Sequence, residues 1–328
     1  MRAGQRRARV PAWGRWMAVG AFATSACAAV AADDPLAWLQ RVADSARNTS
    51  YAGTFVHTNG DKTSTVRVTH RVIDGEELER IEPLDGPPIE IVRRNEEMFC
   101  YLPDAKTVRL DRRVTARFFP SIFRAPPEAI AKNYDVKLDK VERLIGLDCQ
   151  WIHLDPKDAL RFAQRLCADV ATGLLLRART LDEKLQVIEQ FTFTDLKIGP
   201  AALRDDVRSV FKARTKRWQT DAKPLDEAKG AETGWTLRSL PAGYAQVSEM
   251  RRTLPGRAQP VSQIVLSDGL ANLSIFVETA NASGSETART EGATSFYMLP
   301  AGDHVITVLG EVPMLTARQV GRGIARRP

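Results

Sequence analysis

Short segments rich in β-branched and aromatic residues, separated by tight-turn signals, run from residue 51 to residue 196. No other feature of the chain constrains its fold as much. The turn signals are Asn59-Gly60-Asp61, Asp74-Gly75, Asp85-Gly86-Pro87-Pro88, Pro103-Asp104 and Thr172-Gly173. Consecutive strands joined by tight turns predict an antiparallel meander. A sheet this wide must curl, and a helix starting at Asp34-Pro35 with a second helix near residues 127–134 would cover its apolar concave face.

A polar tract and a second strand-like block follow this region. Residues 212–233 are mostly Lys, Asp, Ala, Thr and Glu and predict a linker, although Trp218 indicates that part of it packs on a domain. Strands are then predicted at 235–238, 245–253, 261–267, 270–279, 293–299 and 304–310, with a terminal helix at 314–326. Gly321 and Gly323 should weaken this helix and its packing.

The predicted organisation is therefore a mainly β (α+β) protein with two domains. The larger domain spans residues 32–211, the linker 212–233 and the smaller antiparallel β domain with its terminal helix 234–328.

Residues 1–31 are typical of a secretory signal peptide, with five arginines, no acidic residue and an Ala-rich apolar run before Ala32. Their removal lowers the formal net charge from +7 to +2, because 42 Lys and Arg then face 40 Asp and Glu. The basic balance of the whole chain is thus mostly a targeting signal, which argues against nucleic acid as a partner. Cys27 leaves a lipoprotein signal open, although Thr24 stands where such signals favour an aliphatic residue.

The predicted mature chain has three cysteines, Cys100, Cys149 and Cys167. Strand-like segments at 149–154 and 160–167 flank a turn signal, so a hairpin would set Cys149 opposite Cys167. A disulfide between them, two buried thiols and a metal site with His153 are the alternatives. Because no fourth ligand and no CxxC or HxxxH pair is present, no metal is predicted.

The motifs of common catalytic and cofactor sites are absent from the sequence. It contains no GxSxG elbow, no HExxH, no P-loop and no GxGxxG between a strand and a helix. The histidines lie on strand-like segments, where alternation and hydrogen bonding explain them, and acid pairs such as Glu76-Glu77 lie beside turns. We expect a binding protein that is not an enzyme and has no cofactor. A hydrolase with an unrecognised site is the weakest alternative.

An apolar cluster at residues 118–123 interrupts the strand pattern and contains Phe118, Phe119 and Phe123. The favoured interpretation is a loop tucked into the core. A mobile flap over an apolar cavity is the alternative.

Several segments of the chain resemble the RseB/MucB family. They are RVTHRVIDG at 67–75, residues 79–81, 84–86 and 90–93, CYLP at 100–103, Tyr134-Asp135, ADVATGL at 168–174, Gly234-Trp235, LPAGY at 240–244, LSDGL at 266–270 and GEVP at 310–313. Each segment alone is a weak signal, but together they run through the whole predicted mature chain.

This resemblance implies a periplasmic regulator of the envelope stress response. Such proteins bind the periplasmic part of a membrane-spanning anti-sigma factor and shield it from the site-1 protease, so that the sigma factor stays inactive. Their larger domain is similar to lipoprotein carriers, an unclosed β half-barrel covered by helices, and senses lipid or lipopolysaccharide. Their smaller domain helps to grip the anti-sigma factor. A periplasmic lipid or lipoprotein carrier is the runner-up, although residues 234–328 argue against it, and a homo-oligomer stays open.

Apolar side chains of the predicted concave face become candidate lipid contacts under this resemblance. These candidates are Phe55, Ile91, Phe99, Tyr101, Trp151, Phe191 and Phe193, together with Phe118, Phe119 and Phe123 of the apolar cluster. The candidate contacts with the anti-sigma factor are Leu266, Asp268, Gly269 and Leu270.

Overall fold

The structure of the chain is a computed structural model that describes residues 34–95, 97–111, 119–123, 125–200, 207–221, 233–252, 259–279 and 285–327. The predicted signal peptide, Phe118 and residues 222–232 of the predicted linker lie outside them. The helices are α1 (Pro35–Asn48), α2 (Pro127–Ala131) and α3 (Met314–Gly323), with a 3-10 helix at Lys212–Arg217. None of the helices in these ranges has the length and apolar character needed to span a bilayer.

Twelve strands of the described chain form one sheet, which we call the large sheet. They are β1 (Tyr51–Asn59), β2 (Lys62–Ile73), β3 (Glu76–Pro83), β4 (Glu90–Arg94), β5 (Glu97–Leu102), β6 (Thr107–Asp111), β7 (Tyr134–Leu144), β8 (Leu147–Pro156), β9 (Ala163–Asp169), β10 (Leu175–Leu181), β11 (Val187–Ile198) and β12 (Gln219–Asp221). Their order is β12-β6-β5-β4-β3-β2-β1-β11-β10-β9-β8-β7, and only β12 and β6 pair in parallel. Two meanders therefore join where β1 pairs with β11, and the sheet stays unclosed because β7 and β12 lie at opposite ends.

Helix α1 covers the concave face of the large sheet. The Asp34 side chain accepts a 3.0 Å hydrogen bond from the backbone N–H two residues later, which caps the helix. Trp38, Leu39 and Val42 share one side of the helix and are buried in the core of the large sheet. Each such side chain contributes about 1.5–3 kcal/mol when fully buried.

The second predicted helix is shorter than expected. It ends at Ala131, and residues Tyr134–Leu144 form β7, a strand that the turn-based prediction missed. Along the start of β7, buried and partly buried Tyr134, Val136 and Leu138 alternate with exposed Asp135 and Lys137, the period of a strand. The prediction of a helix up to residue 134 was therefore wrong for the last residues.

Six further strands of the described chain form the small sheet. After β13 (Trp235–Leu237) these are β14 (Ala245–Arg252), β15 (Val261–Ser267), β16 (Asn272–Thr279), β17 (Thr287–Glu291), β18 (Thr294–Ala301) and β19 (His304–Gly310), in the order β14-β15-β16-β19-β18-β17. Strand β17, which the sequence analysis did not predict, is an edge strand. The small sheet and α3 enclose their own apolar core around Ile275, Tyr297 and Val308.

The end of the chain differs from its prediction in two respects. Helix α3 stops at Gly323, and the next residues form β20 (Ile324–Arg326), which pairs with β13. Gly321 is buried, and a Cβ there would lie 2.7 Å from the ring of Tyr297. The glycine therefore lets α3 approach the small sheet closely, contrary to the expectation that it weakens the packing.

The last residues of the predicted larger domain and the first residues of the predicted linker pack on the outer face of the large sheet. Phe211 and Trp218 lie with their ring centroids 6.0 Å apart, and the backbone N–H of Val210 donates to Glu90 at 3.2 Å. Burial raises the pKa of Tyr101, which lies on this face. Residues 207–221 thus belong structurally to the large sheet.

Candidate functional site

Four phenylalanines pack together on the concave face of the large sheet, and we call them the aromatic cluster. Phe55 lies on β1, Phe191 and Phe193 lie on β11, and Phe119 lies in the loop before α2. The ring centroid of Phe119 is 5.2 Å from that of Phe55, 5.3 Å from that of Phe191 and 5.2 Å from that of Phe193. Aromatic pairs at these separations stabilise each other beyond the area they bury.

The described part of the apolar loop, residues 119–123, is tucked into this core. Phe119 and Phe123 are only 4% and 5% exposed, and Ile122 packs against the same core. This is the favoured interpretation of the loop from the sequence. Phe118 was also a candidate lipid contact, but it lies outside the described residues.

The large sheet separates Ile91 from two other candidate lipid contacts. Ile91 on β4 pairs with Cys100, whereas Phe99 pairs with Val92, and cross-strand partners share a face. Ile91 packs against the concave core, so Phe99 and Tyr101 lie on the outer face. The expectation that all three share the concave side was wrong, because the register of β4 and β5 reverses the alternation assumed for β5.

Trp151 also lies away from the aromatic cluster. It packs on the outer face with a disulfide between Cys149 and Cys167, whose Cα atoms are 5.4 Å apart, while the neighbouring Ile152 enters the concave core. The two cysteines are diagonal and not directly opposite, because Cys167 pairs with Trp151. The guanidinium of Arg179 lies 5.3 Å from the ring centroid of Trp151.

The metal alternative at this position receives no support from the geometry. His153 Nε2 lies 3.3 Å from Asp139 Oδ2, and both sulfurs belong to the disulfide. Within the described ranges no three His, Cys, Asp or Glu side chains come together in a way that could hold a metal ion.

Three of the four candidate contacts with the anti-sigma factor, Asp268, Gly269 and Leu270, lie in the contact between the two sheets, and Leu266 lies beside it. Leu266 is fully buried in the small-sheet core, and Leu270 packs against the large-sheet core. Asp268 is 4% exposed, and Gly269 lies between them at the tip of the β15–β16 hairpin. In this conformation Leu266, Asp268 and Gly269 are buried and Leu270 is partly buried, and their role in partner binding stays a prediction.

A buried ion pair joins the two sheets at this hairpin. Arg161 Nε lies 3.3 Å from Asp268 Oδ2, and the two side chains are 1% and 0% exposed. The Tyr134 hydroxyl donates to Asp268 at 3.1 Å, and Arg161 donates to the Ala242 carbonyl at 2.6 Å. The guanidinium lies 5.7 Å from the ring of Tyr134 and 5.3 Å from that of Tyr244. We call Tyr134, Arg161, Tyr244 and Asp268 the latch.

The electrostatics of the latch follow from its burial. Desolvation, followed by the negative charge of Asp268, raises the pKa of Tyr134 and that of Tyr244. Both hydroxyls therefore stay protonated and can donate hydrogen bonds. Removing one member of a buried ion pair leaves the other charge uncompensated, at a cost of about 3–5 kcal/mol.

Near the latch, each half of the protein packs one apolar side chain against the core of the other half. Leu160 of the large-sheet half packs into the small-sheet core, and Leu270 packs into the large-sheet core. Gly269 has a φ of +100°, and a Cβ there would lie 2.6 Å from Ala125 Cβ and 3.4 Å from Ile130. Both sheets belong to one compact unit, Asp33–Pro328, and the hairpin tip is seated directly on Ile130 of α2 and on Ala125, two residues before this helix.

Four polar side chains form a second group, on the concave face. They are His70, Glu77, Glu79 and Arg93, and we call them the polar row. Arg93 Nε donates to Glu79 at 3.0 Å, and Arg93 also pairs with Glu77. His70 Nδ1 lies 2.9 Å from the Thr49 carbonyl oxygen, and its Nε2 lies 3.2 Å from Glu77. Burial opposes ionisation of Glu77, but hydrogen bonds from His70 and Arg93 hold the pKa of this carboxyl far below its ordinary value.

Reasoning from motifs alone missed the latch and the polar row, although the family-like segments contained a signal for both. Tyr134, Tyr244 and Asp268 come from three separate segments of that resemblance, and the fold brings them together around Arg161. Three members of the polar row likewise belong to such segments; Glu77 does not. Segments that are far apart in the chain but resemble the same family are therefore candidates for contact with one another in the folded protein.

The fold and these sites define a two-sheet β protein that acts by binding. Residues 34–215 match the model of the MucB/RseB N-terminal domain, and residues 229–325 match that of the MucB/RseB C-terminal domain. The chain belongs to the MucB/RseB family.

Named relatives cover most of the chain. The sigma factor AlgU regulatory protein MucB of Pseudomonas aeruginosa is 30% identical over 303 residues, 90% of this chain and 92% of that protein. The sigma-E factor regulatory protein RseB of Escherichia coli is 24% identical over 289 residues, 88% of this chain and 89% of that protein.

Solved structures show the same architecture. MucB in the complex of Pseudomonas aeruginosa MucA and MucB has a TM-score of 0.73 and 29% identity, covering 90% of this chain and 99% of that one. A crystal structure of MucB has a TM-score of 0.65 and 28% identity, covering 89% and 97%. The predicted family and fold class are therefore confirmed, and the family is one of regulatory binding proteins and not of enzymes.

Proposed function

We propose that this protein is exported by its residues 1–31 and regulates an envelope-stress sigma factor in the periplasm. It binds the periplasmic part of a membrane-spanning anti-sigma factor and shields that segment from the site-1 protease. Lipid or lipopolysaccharide then releases it. The names of the relatives as sigma factor regulators, and the solved complex of MucB with MucA, support the regulatory half of this proposal.

The apolar concave face supports the lipid half of the proposal. Its aromatic cluster is filled from the loop side by Phe119, and Phe123 is buried beside it. An acyl chain can enter by displacing these two side chains, which costs about 3–6 kcal/mol of lost burial. A twelve-carbon acyl chain regains roughly 9 kcal/mol at about 0.8 kcal/mol per methylene. The exchange is therefore favourable for chains of this length.

One observation carries the link between lipid and partner. A single segment supplies Phe119 to the aromatic cluster, Ala125 and Ile130 to the seat of Gly269, and Tyr134 to the latch. Displacing the loop from the cluster would disturb the seat of the hairpin, since only a few residues separate them. A lipid that binds the displaced state better shifts the whole protein toward it. The affinity for an anti-sigma factor that contacts both the large-sheet half and the small-sheet half would then fall.

A protease-protection assay tests this proposal. The periplasmic segment of the anti-sigma factor is incubated with its site-1 protease, with and without the mature protein, while lipopolysaccharide is titrated. We expect the protein to slow cleavage and lipopolysaccharide to restore it. Phe119→Ala, which weakens the hold of the loop, should lower the lipopolysaccharide concentration for half-release. Phe211→Ala on the outer face is the matched control and should leave it unchanged. Cleavage that the protein does not slow would refute the proposed function.

A further inference from the structure

The hydroxyl of Tyr51 is an isolated polar atom in the concave core. Tyr51 is 0% exposed, and its Oη has no hydrogen-bond partner among the described residues. Its ring stacks on His70 with centroids 4.9 Å apart and meets Phe193 edge-on at 6.4 Å. It therefore joins the aromatic cluster to the polar row. Buried hydroxyls in proteins are almost always hydrogen-bonded, so this one indicates a ligand group.

The charges around Tyr51 are already matched to one another. Arg93 pairs with Glu77 and Glu79, and His70 contacts Glu77 and the Thr49 carbonyl. Arg93 is the guanidinium of the polar row, and both carboxylates, Glu77 and Glu79, already face it. The polar row therefore holds no spare cation for an additional anion.

The state of the Tyr51 hydroxyl is set by the same surroundings. Burial, followed by the charge of Glu79, raises its pKa well above the ordinary value. The group therefore remains an O–H donor in the physiological pH range. A donor inside an apolar site with no spare cation matches a neutral carbonyl oxygen better than a carboxylate, whose desolvation nothing there would offset.

We propose that Tyr51 Oη donates a hydrogen bond to the carbonyl of an acyl ester or amide, and that the concave site selects such neutral acyl groups over free fatty acid anions. This inference rests on the lipid binding of the proposed function and names the ligand class of that site. The acyl chain lies along the aromatic cluster, with its carbonyl at the border of the polar row. A neutral hydrogen bond of this kind is worth about tenfold in affinity.

The experiment compares two ligands with the same acyl chain on the mature protein at pH 7.5. Monolaurin carries an ester carbonyl, and laurate is the free anion; both are titrated calorimetrically below their critical micelle concentrations. We expect monolaurin to bind at least about tenfold more tightly than laurate. In Tyr51→Phe its affinity should fall about tenfold and the preference should shrink accordingly. Tyr101→Phe, which removes a hydroxyl from the outer face, is the matched control and should behave like the wild type.

Stability of the ligand-free variant provides the second readout. Removing a hydroxyl that has no partner should leave the thermal midpoint of Tyr51→Phe unchanged or raised. A lowered midpoint would mean that the hydroxyl is already bonded, and equal affinities of wild type and Tyr51→Phe for monolaurin would mean that it does not anchor the ligand. Either result overturns this inference while lipid binding stands. If the wild type binds neither ligand, the proposed lipid binding fails as well.

Discussion

Arg161 in the turn before β9 and Asp268 in the β15–β16 hairpin form an ion pair between the two sheets, with neither side chain more than 1% exposed. A second ion pair, between Lys62 and Glu291, also joins the two sheets, but these side chains are 78% and 50% exposed. Both ion pairs connect the two sheets, but one is buried and the other is exposed. Comparing the stability of variants at the two pairs therefore shows how much burial adds to the energetic effect of an ion pair.

Asp268→Asn should lower the free energy of unfolding by about 3–5 kcal/mol, because the buried Arg161 charge then keeps only Asp158, a partly exposed carboxylate 3.5 Å away, as an anionic partner. Glu291→Gln at the exposed pair should change it by no more than about 1 kcal/mol. Urea unfolding of both variants measures the difference. The double variant Arg161→Met/Asp268→Asn should recover part of the loss. Equal effects of the two single variants would contradict the assignment of the latch.

Gly269→Ala should destabilise the protein more than Gly302→Ala. Both glycines have positive φ, +100° and +65°, so both alanines are strained. Only at Gly269 would the new methyl meet Ala125, at 2.6 Å, whereas nothing lies within 4 Å of the corresponding position at Gly302. Thermal unfolding of the two variants measures the combined cost of this contact and of the more strained φ at Gly269. Equal midpoints would mean that the hairpin tip is not seated on this segment.

The disulfide makes a separate prediction about stability. Mass spectrometry of the protein prepared without reductant should show a peptide that links Cys149 to Cys167 and does not include Cys100. Closing a loop with a sequence separation of 18 residues stabilises a fold by about 3 kcal/mol in the chain-entropy account. Cys167→Ser should therefore unfold at a lower urea concentration. Three thiols in the non-reduced protein would contradict this.

The lowered pKa of Glu77 predicts acid sensitivity. A carboxyl with a depressed folded-state pKa stabilises the fold at pH values above its unfolded-state pKa of about 4.3, and this contribution is lost as pH falls further. Glu77→Gln should therefore be less stable than the wild type at pH 7, with the difference shrinking below about pH 4. Glu76→Gln, at an exposed pair with Arg94, is the control and should change the free energy of unfolding by no more than about 1 kcal/mol. A constant difference for Glu77→Gln across this range would contradict the assigned network.

Local sequence signals predicted most helices and strands, but they did not predict the contacts between distant segments. The Asp34-Pro35 helix start and the Asp74-Gly75 turn act within a few residues, and α1 and the β2–β3 hairpin follow from them. The face of Phe99 depends on how β4 and β5 pair, and one residue of register reverses it.

The latch was the least predictable feature. Arg161 and Asp268 each lie beside a turn, where charged residues are ordinarily solvated, and only the docking of the two sheets buries them. Such burial depends on which surfaces meet, and no local pattern reports that.

The central claim is that lipid and anti-sigma factor bind to coupled states of one protein. Titrating the mature protein with the periplasmic anti-sigma segment, with and without saturating lipopolysaccharide, and then in the reverse order, measures the coupling directly. We predict that each ligand weakens the other by the same factor, within the range of about 5 to 150 that is typical of allosteric coupling. Affinities of each ligand that do not change in the presence of the other would contradict the account.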